Sequence, residues 1–67
     1  MTIEVRRGLG KGPIIEVDVL PKKHQKIKFQ DEQLPYTFRV REVYDPQTEM
    51  NPNDHYLVTV DIVSDRA

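Results

Sequence analysis

The chain has 67 residues, a hydrophobic content of 37% and no cysteine. A chain of this length buries only one core, so we expect a single small domain spanning residues 1–67. Ten basic and eleven acidic residues give a formal net charge of -1, which argues against a dedicated nucleic-acid-binding protein. The absence of cysteine excludes disulfides, thiolate metal sites and cysteine nucleophiles, and it favours a reducing compartment.

The sequence shows no segment that would carry the chain into or across a membrane. Its longest aliphatic runs are two residues, as at Ile14-Ile15, whereas a membrane-spanning helix needs roughly 20 apolar residues. Residues 1–5 lack the apolar stretch of a secretory signal. We therefore predict a cytoplasmic protein without membrane contact.

Charge is unevenly distributed along the chain. Residues 1–30 contain seven basic and three acidic residues, a net charge of +4, whereas residues 31–67 contain three basic and eight acidic residues, a net charge of -5. The near-neutral total therefore hides a basic first half and an acidic second half, which are separated in sequence but not necessarily in the fold.

Apolar residues recur at every second position, which is typical of β-strands. The first predicted strand surrounds Ile3 and Val5. It is followed by residues 8–13, where three glycines and a proline predict a loop, because glycine adopts turn conformations that other residues resist. This stretch superficially resembles a phosphate-binding loop. However, a strand follows it where a nucleotide loop requires a helix, so we predict no nucleotide cofactor.

The second and third strands are predicted from the same alternation. Ile15, Val17 and Val19 share one face of the second strand, and Pro21 ends it because proline cannot donate to a ladder. Residues 26–29 predict a short edge strand with lysines on its outer side, which discourage further pairing. Residues 30–35 predict a turn, with room for one short helical turn at residues 31–33.

Residues 36–44 and 56–63 give the strongest strand signals, because they are rich in aromatic and β-branched residues. We predict that they pair antiparallel with residue numbers summing to 100, since this register matches the chemistry of both faces. The predicted pairs are Phe38 with Ile62, Val40 with Val60, Tyr44 with Tyr56, Arg39 with Asp61 and Arg41 with Thr59. The three tyrosines, including Tyr36, then close the ends of the core.

Four to five strands without an amphipathic helix predict an all-β fold. We expect a small antiparallel barrel or strongly curved sheet of the Src-homology-3-like or oligonucleotide-binding-like kind. The alternative is an open sheet whose apolar face is covered by a second copy, because so small a core is marginal by itself. This resemblance to small barrels concerns the fold and does not transmit a function.

The connection at residues 45–55 is longer than the roughly two to five residues usual in hairpins, and such loops are often functional. Its alternating oxygen-bearing side chains suggest calcium, but Met50 and Tyr56 stand where an EF-hand needs glycine and glutamate. We predict no metal and instead a protein-recognition loop with an acidic tip and one apolar anchor. The predicted protein-binding residues are Tyr44, Asp45, Glu49, Met50, Asn53, Asp54 and Tyr56.

Residues 22–28 contain four lysines and a histidine, which is the strongest nucleic-acid signal in the chain. The alternative hypothesis is therefore a nucleic-acid-binding barrel that uses Arg6, Arg7, Lys11, Lys22, Lys23, Lys26, Lys28, Arg39 and Arg41. Against it, Phe29 points inward and leaves few aromatic platforms on which bases could stack. A solvated basic edge is the interpretation that we favour.

The sequence offers little for catalysis. His24 and His55 are the only histidines, no cysteine completes a metal site, and the only serine is Ser64. We therefore predict no catalytic residues and no cofactor. The predicted function is a non-catalytic binding module: a small accessory or regulatory protein, encoded by a phage or other mobile element, that binds a protein partner through a strand edge and the 45–55 loop. A small structural subunit of a larger assembly is a further alternative.

Overall fold

A computed structural model describes residues 1–8 and 10–64. Its strands are β1 (Thr2–Arg6), β2 (Ile14–Glu16), β3 (Lys26–Ile27), β4 (Thr37–Tyr44) and β5 (Tyr56–Ser64). They form one five-stranded sheet in the order β2-β1-β5-β4-β3, and the sheet curls into a half-barrel. The predicted all-β class, with a small barrel or strongly curved sheet, is confirmed. Nowhere in residues 1–8 and 10–64 does a helix have the length and apolar character needed to cross a bilayer.

The prediction of an antiparallel arrangement throughout is wrong: the sheet is mixed, because β1 and β5 pair parallel whereas the other three ladders are antiparallel. Ile3 lies opposite Tyr56, and Arg6 lies opposite Thr59. Side chains alternate between faces in parallel and antiparallel strands alike, so the sequence pattern could not distinguish the two arrangements. The consequence for the molecule is that β1 lies inside the sheet and that β2 and β3 are its two edges.

The core lies on the inner face of the curled sheet. Its aromatic centre is Phe38, whose ring centroid lies 6.0 Å from that of Phe29 and 6.0 Å from that of Tyr36. The other fully buried core side chains are Ile3, Val5, Leu34, Val40, Val58 and Val60. Burying an aliphatic or aromatic side chain of this kind stabilises the fold by about 1.5–3 kcal/mol.

Strand β2 is shorter than predicted. The Val17 N–H donates to the Met1 carbonyl at 2.9 Å and the Met1 ammonium donates to the Val17 carbonyl at 2.7 Å, and the ladder with β1 ends there. Beyond this pair the chain has no neighbouring strand within the described residues, so it bends away. The prediction that Val19 shares a face with Ile15 and Val17 is therefore wrong: its side chain is 75% exposed, whereas theirs pack against the core.

The β4–β5 register follows the prediction from Phe38 to Val40 and departs from it toward both ends of the ladder, where Thr37 already lies opposite Ser64. Phe38 lies opposite Ile62, Arg39 opposite Asp61 and Val40 opposite Val60, as predicted. A β-bulge then leaves Arg41 unpaired, and the later pairs are Glu42 with Thr59, Val43 with Val58 and Tyr44 with Leu57. The predicted pairs Arg41–Thr59 and Tyr44–Tyr56 are therefore wrong, and Val43 rather than Tyr44 packs against the core.

Residues 31–34 form a hydrogen-bonded turn and not a helical turn. The Leu34 N–H donates to the Asp31 carbonyl at 3.0 Å, and the Asp31 carboxylate accepts from the Gln33 N–H at 2.8 Å. Pro35 follows at once, and an isolated helical turn is costly to nucleate. The turn places Leu34, which is 1% exposed, in the core.

Candidate protein-binding surfaces

Asn51 organises the loop of residues 45–55 from inside. Its side chain is fully buried, and Nδ2 lies 3.2 Å from the carbonyl oxygens of Tyr44 and Asp45 and 2.8 Å from that of His55. These three carbonyls belong to the two ends of the loop, so a single amide ties them together. Asn51 Oδ1 also accepts from the backbone and side-chain amides of Asn53, at 3.3 and 3.1 Å. Both the nitrogen and the oxygen of the Asn51 amide therefore have hydrogen-bond partners, as buried polar groups generally do.

Backbone hydrogen bonds give the same loop an inner hairpin. The Thr48 N–H donates to the Asn51 carbonyl at 2.9 Å, and the Asn51 N–H donates to the Thr48 carbonyl at 3.1 Å. One step further out, the Gln47 N–H donates to the Asn53 carbonyl at 2.9 Å. The loop therefore has internal hydrogen-bonded structure of its own.

The loop presents only part of the predicted binding set to solvent. Met50 is 66% exposed at the tip, and the three acidic side chains of the set, Asp45, Glu49 and Asp54, are exposed as well. The remaining residues have internal roles. Asn53 is half-buried and bonded to Asn51, Tyr56 packs against the core, and Tyr44 is half-buried opposite Leu57.

A strand edge without a partner lies next to this loop. Strand β3 pairs with β4 only opposite Phe38 and Arg39, and His24 extends the contact by donating its N–H to the Val40 carbonyl at 2.8 Å. On that side of β4, residues 41–44 have no ladder partner among the described residues. The edge runs directly into the loop at Asp45, so the two features form one continuous surface.

The structure brings some of the predicted nucleic-acid-binding residues together: Lys26 lies opposite Arg39 in the β3–β4 ladder, and Arg41 contacts Asp61, which lies opposite Arg39 in β5. Three of them contact carboxylates: Arg6 Nε lies 2.7 Å from Glu4, Lys23 Nζ 2.7 Å from Glu42 and Arg41 Nε 3.5 Å from Asp61. Arg7 lies over the Tyr36 ring at 5.3 Å and, with Lys11, lines a groove of about 270 Å³. That groove has no lining residue from the lysine-rich segment, whose exposed lysines are Lys22, Lys23, Lys26 and Lys28.

A buried ionic cluster lies on the outer face of β1, which the sequence analysis missed. Glu4 is only 3% exposed, and its carboxylate accepts from Arg6 Nε at 2.7 Å and from the Gly12 N–H at 3.1 Å. Buried His55 Nε2 lies 3.6 Å from Glu4 Oε1 and has no hydrogen-bond partner among the described residues. Burial raises the pKa of Glu4, but Arg6, Gly12 and His55 together outweigh it, so the pKa lies below its ordinary value of 4.5.

The two edge strands flank an open groove, which we call the seam. It is lined by residues 14–19 on the β2 side and residues 27–31 on the β3 side, and its volume is about 530 Å³. Ile15, Val17, Ile27 and Phe29 give it apolar walls continuous with the core. The seam is the gap that makes the molecule a half-barrel and not a closed one.

No protein-family model, curated protein or solved structure matches this chain. Over the part of the chain that the structure describes, no three histidine, aspartate or glutamate side chains are grouped so as to hold a metal ion. The function is therefore argued from the chemistry of the surfaces, since a small β fold by itself specifies none.

Proposed function

We propose that this protein is a non-catalytic protein-binding module that contacts its partner through the 45–55 loop and the neighbouring edge of β4. The observation that carries the proposal is the buried Asn51 amide, which fixes the loop while Met50 remains 66% exposed at its tip. A pre-formed loop loses little conformational entropy on binding, so more of the contact energy appears as affinity.

The chemistry around Met50 supports a protein partner with a basic, partly apolar surface. A methionine side chain is flexible and polarizable, so it fits apolar pockets of irregular shape. The exposed carboxylates of Asp45, Glu49 and Asp54 lie in the same loop and would steer a positively charged partner into contact. An unpaired strand edge beside this anchor adds backbone donors and acceptors, which are a common means of peptide recognition.

We also propose a compartment and a role for the protein. The lack of cysteine supports action in the cytoplasm, where thiols stay reduced, and the small size supports an accessory or regulatory role. A phage or other mobile-element source stays a prediction from size alone.

The test is affinity capture of the tagged protein from its own cells, with and without nuclease, followed by binding measurements on the captured partner. Met50→Asp should weaken binding about tenfold or more, because it places a charge at a desolvated anchor. Val63→Asp is the matched control, since it adds the same charge to an exposed apolar side chain outside the loop. Equal binding by Met50→Asp and the unaltered protein would contradict the proposal.

Nuclease treatment distinguishes protein binding from the alternative function, which is nucleic-acid binding. A partner that resists nuclease supports protein binding. Loss of all capture on nuclease treatment would contradict it and would point to nucleic acid bound through residues 22–28, with an affinity that falls steeply as salt rises.

A further inference from the structure

The seam exposes the free edges of two strands to one groove. In the sheet order β2-β1-β5-β4-β3, only β2 and β3 have a neighbour on one side alone. Both line the same cavity of about 530 Å³. An open groove between two unpaired edges has room for chain in an extended conformation, and such chain would continue the sheet on either side.

The backbone of β2 offers donors and acceptors to this groove. Successive residues of a strand direct their N–H and C=O groups to opposite sides. Val17 exchanges hydrogen bonds with Met1, and the Val5 N–H donates to the Pro13 carbonyl at 2.9 Å, so the odd-numbered positions of β2 face β1. Ile14 and Glu16 therefore direct their backbone groups into the seam, where no described residue pairs with them.

The edge of β3 is oriented in the same way. The Val40 N–H donates to the Gln25 carbonyl at 2.9 Å, so Gln25 faces β4, and by alternation Lys26 directs its backbone groups away from β4. Ile27 lies opposite Phe38 in the ladder. The next residue, Lys28, lines the seam directly.

The side chains around the seam indicate what kind of strand would fit. Apolar side chains form part of its walls, and Ile14 at its border is 57% exposed. The Glu16 carboxylate turns back to the Met1 ammonium at 3.2 Å, so it does not cover the edge. Asp18 and Asp31 also line the seam, and neither contacts a cationic group among the described residues. In the part of the chain that the structure describes, Lys28 is the one cationic residue that lines the seam, so its three carboxylates outnumber it and favour an occupant that carries positive charge.

We propose that the seam binds an extended segment of a partner protein as a sixth strand, with apolar side chains directed inward and lysine or arginine side chains directed outward. A second copy of this chain fits less well, because its own β2 would bring Glu16 and Asp18 against the same carboxylates. The seam and the 45–55 loop share no lining residue, so this interface is independent of the proposed loop contact.

The test uses a synthetic peptide of about seven alternating valine and lysine residues, with blocked ends, titrated into the full chain. Amide correlation spectra should show saturable shifts for Ile14, Glu16 and Lys28, with slowed hydrogen exchange at Ile14 and Glu16, because new ladder bonds protect those groups. Amides of the 45–55 loop should not shift. Affinity should fall as salt is added.

Three controls isolate strand addition from general attraction. The same peptide N-methylated at every residue keeps its charge but cannot donate a hydrogen bond to either edge, so it should not bind. Asp18→Lys should weaken binding roughly three- to tenfold, because it reverses one charge at the seam. Asp61→Lys makes the same charge change on the outer face of β5 and should leave the affinity of the peptide unchanged.

Distinct outcomes would overturn the proposal. Absence of shifts at Ile14 and Glu16 at millimolar peptide would show that the seam does not accept a strand. Equal binding by the N-methylated peptide would show that charge attraction, and not strand pairing, accounts for the binding. Self-association of the free chain, with the same two amides protected in the dimer, would assign the seam to a second copy.

Discussion

At the scale of single residues, Asn51 and Glu4 are the two buried polar side chains that determine most about this molecule. Each is nearly inaccessible, and each holds chain segments that are distant from it in sequence. Asn51 joins the two ends of a loop, whereas Glu4 joins β1 to residue 12 of the glycine-rich loop. Buried polar groups of this kind stabilise a fold only when their partners are in place, so both are sensitive to small changes.

Replacing Asn51 by alanine should lower the free energy of unfolding by about 2–3 kcal/mol, because several buried carbonyl groups lose their donor. Urea denaturation monitored by circular dichroism measures this loss. Asn53→Ala removes a single side-chain bond and should cost less than about 1 kcal/mol. Similar values for the two variants would contradict the organising role of Asn51.

The Glu4 cluster predicts acid sensitivity. Its pKa lies below the ordinary value, so the unfolded chain takes up a proton at a higher pH than the folded chain does. The stability that Glu4 contributes is therefore complete above its ordinary pKa and is lost as the pH falls through the lowered one. Unfolding free energies measured between about pH 7 and pH 3 should fall less steeply in Glu4→Gln than in the unaltered protein.

Glu16→Gln provides the comparison for this measurement. Hydrogen bonds from Thr2 and the Met1 ammonium also lower the pKa of Glu16, but its side chain is exposed, so solvent screens the effect. We expect a smaller change in pH dependence than Glu4→Gln gives. An identical pH profile for Glu4→Gln and the unaltered protein would show that the buried cluster does not couple to folding.

At the scale of elements, the glycine-rich loop is held against β1 by hydrogen bonds at Gly12 and Pro13. The Gly12 N–H donates to Glu4, and a Cβ added to Gly12 would overlap the Val5 carbonyl oxygen. Gly12→Ala should therefore lower the free energy of unfolding by about 2 kcal/mol or more. Gly10→Ala is the contrast: its φ of 97° is strained for alanine, but the space beside it is open, so about 1 kcal/mol is expected. Thermal denaturation of both variants tests whether Gly12→Ala is more destabilising than Gly10→Ala.

The elements also show which features the sequence could predict. Alternation located all five strands, and matching faces set the β4–β5 register as far as Val40. Beyond Val40, the adjacent residues Val43 and Tyr44 are both apolar. Either of them could face the core, so the alternation could not reveal the bulge at Arg41. Glu4 has the parity of an outward residue, and its burial depends on a loop and a histidine distant in sequence. The loop was predicted as a contact region, but its internal order depends on Asn51, which no periodic pattern marks.

At the scale of the whole molecule, the curled sheet separates two surfaces of different character. The 45–55 loop is a closed, pre-formed projection with one apolar anchor. The seam is an incomplete part of the sheet, bordered by backbone groups that lack partners among the described residues. The 45–55 loop fits a partner that is already folded, and the seam fits a segment that becomes ordered on binding.

The parallel ladder between β1 and β5 has a consequence for the way the chain acquires its structure. β1 with β2, and β4 with β5, are local pairs that can form early, but the ladder on the other side of β1 joins residues 3–6 to the distant residues 56–59. Bringing such distant segments together is slow, because the chain loses the entropy of loop closure before the new contacts stabilise the pairing. The two hairpins therefore form first, and their joining through the β1–β5 ladder is the late step in folding of the half-barrel.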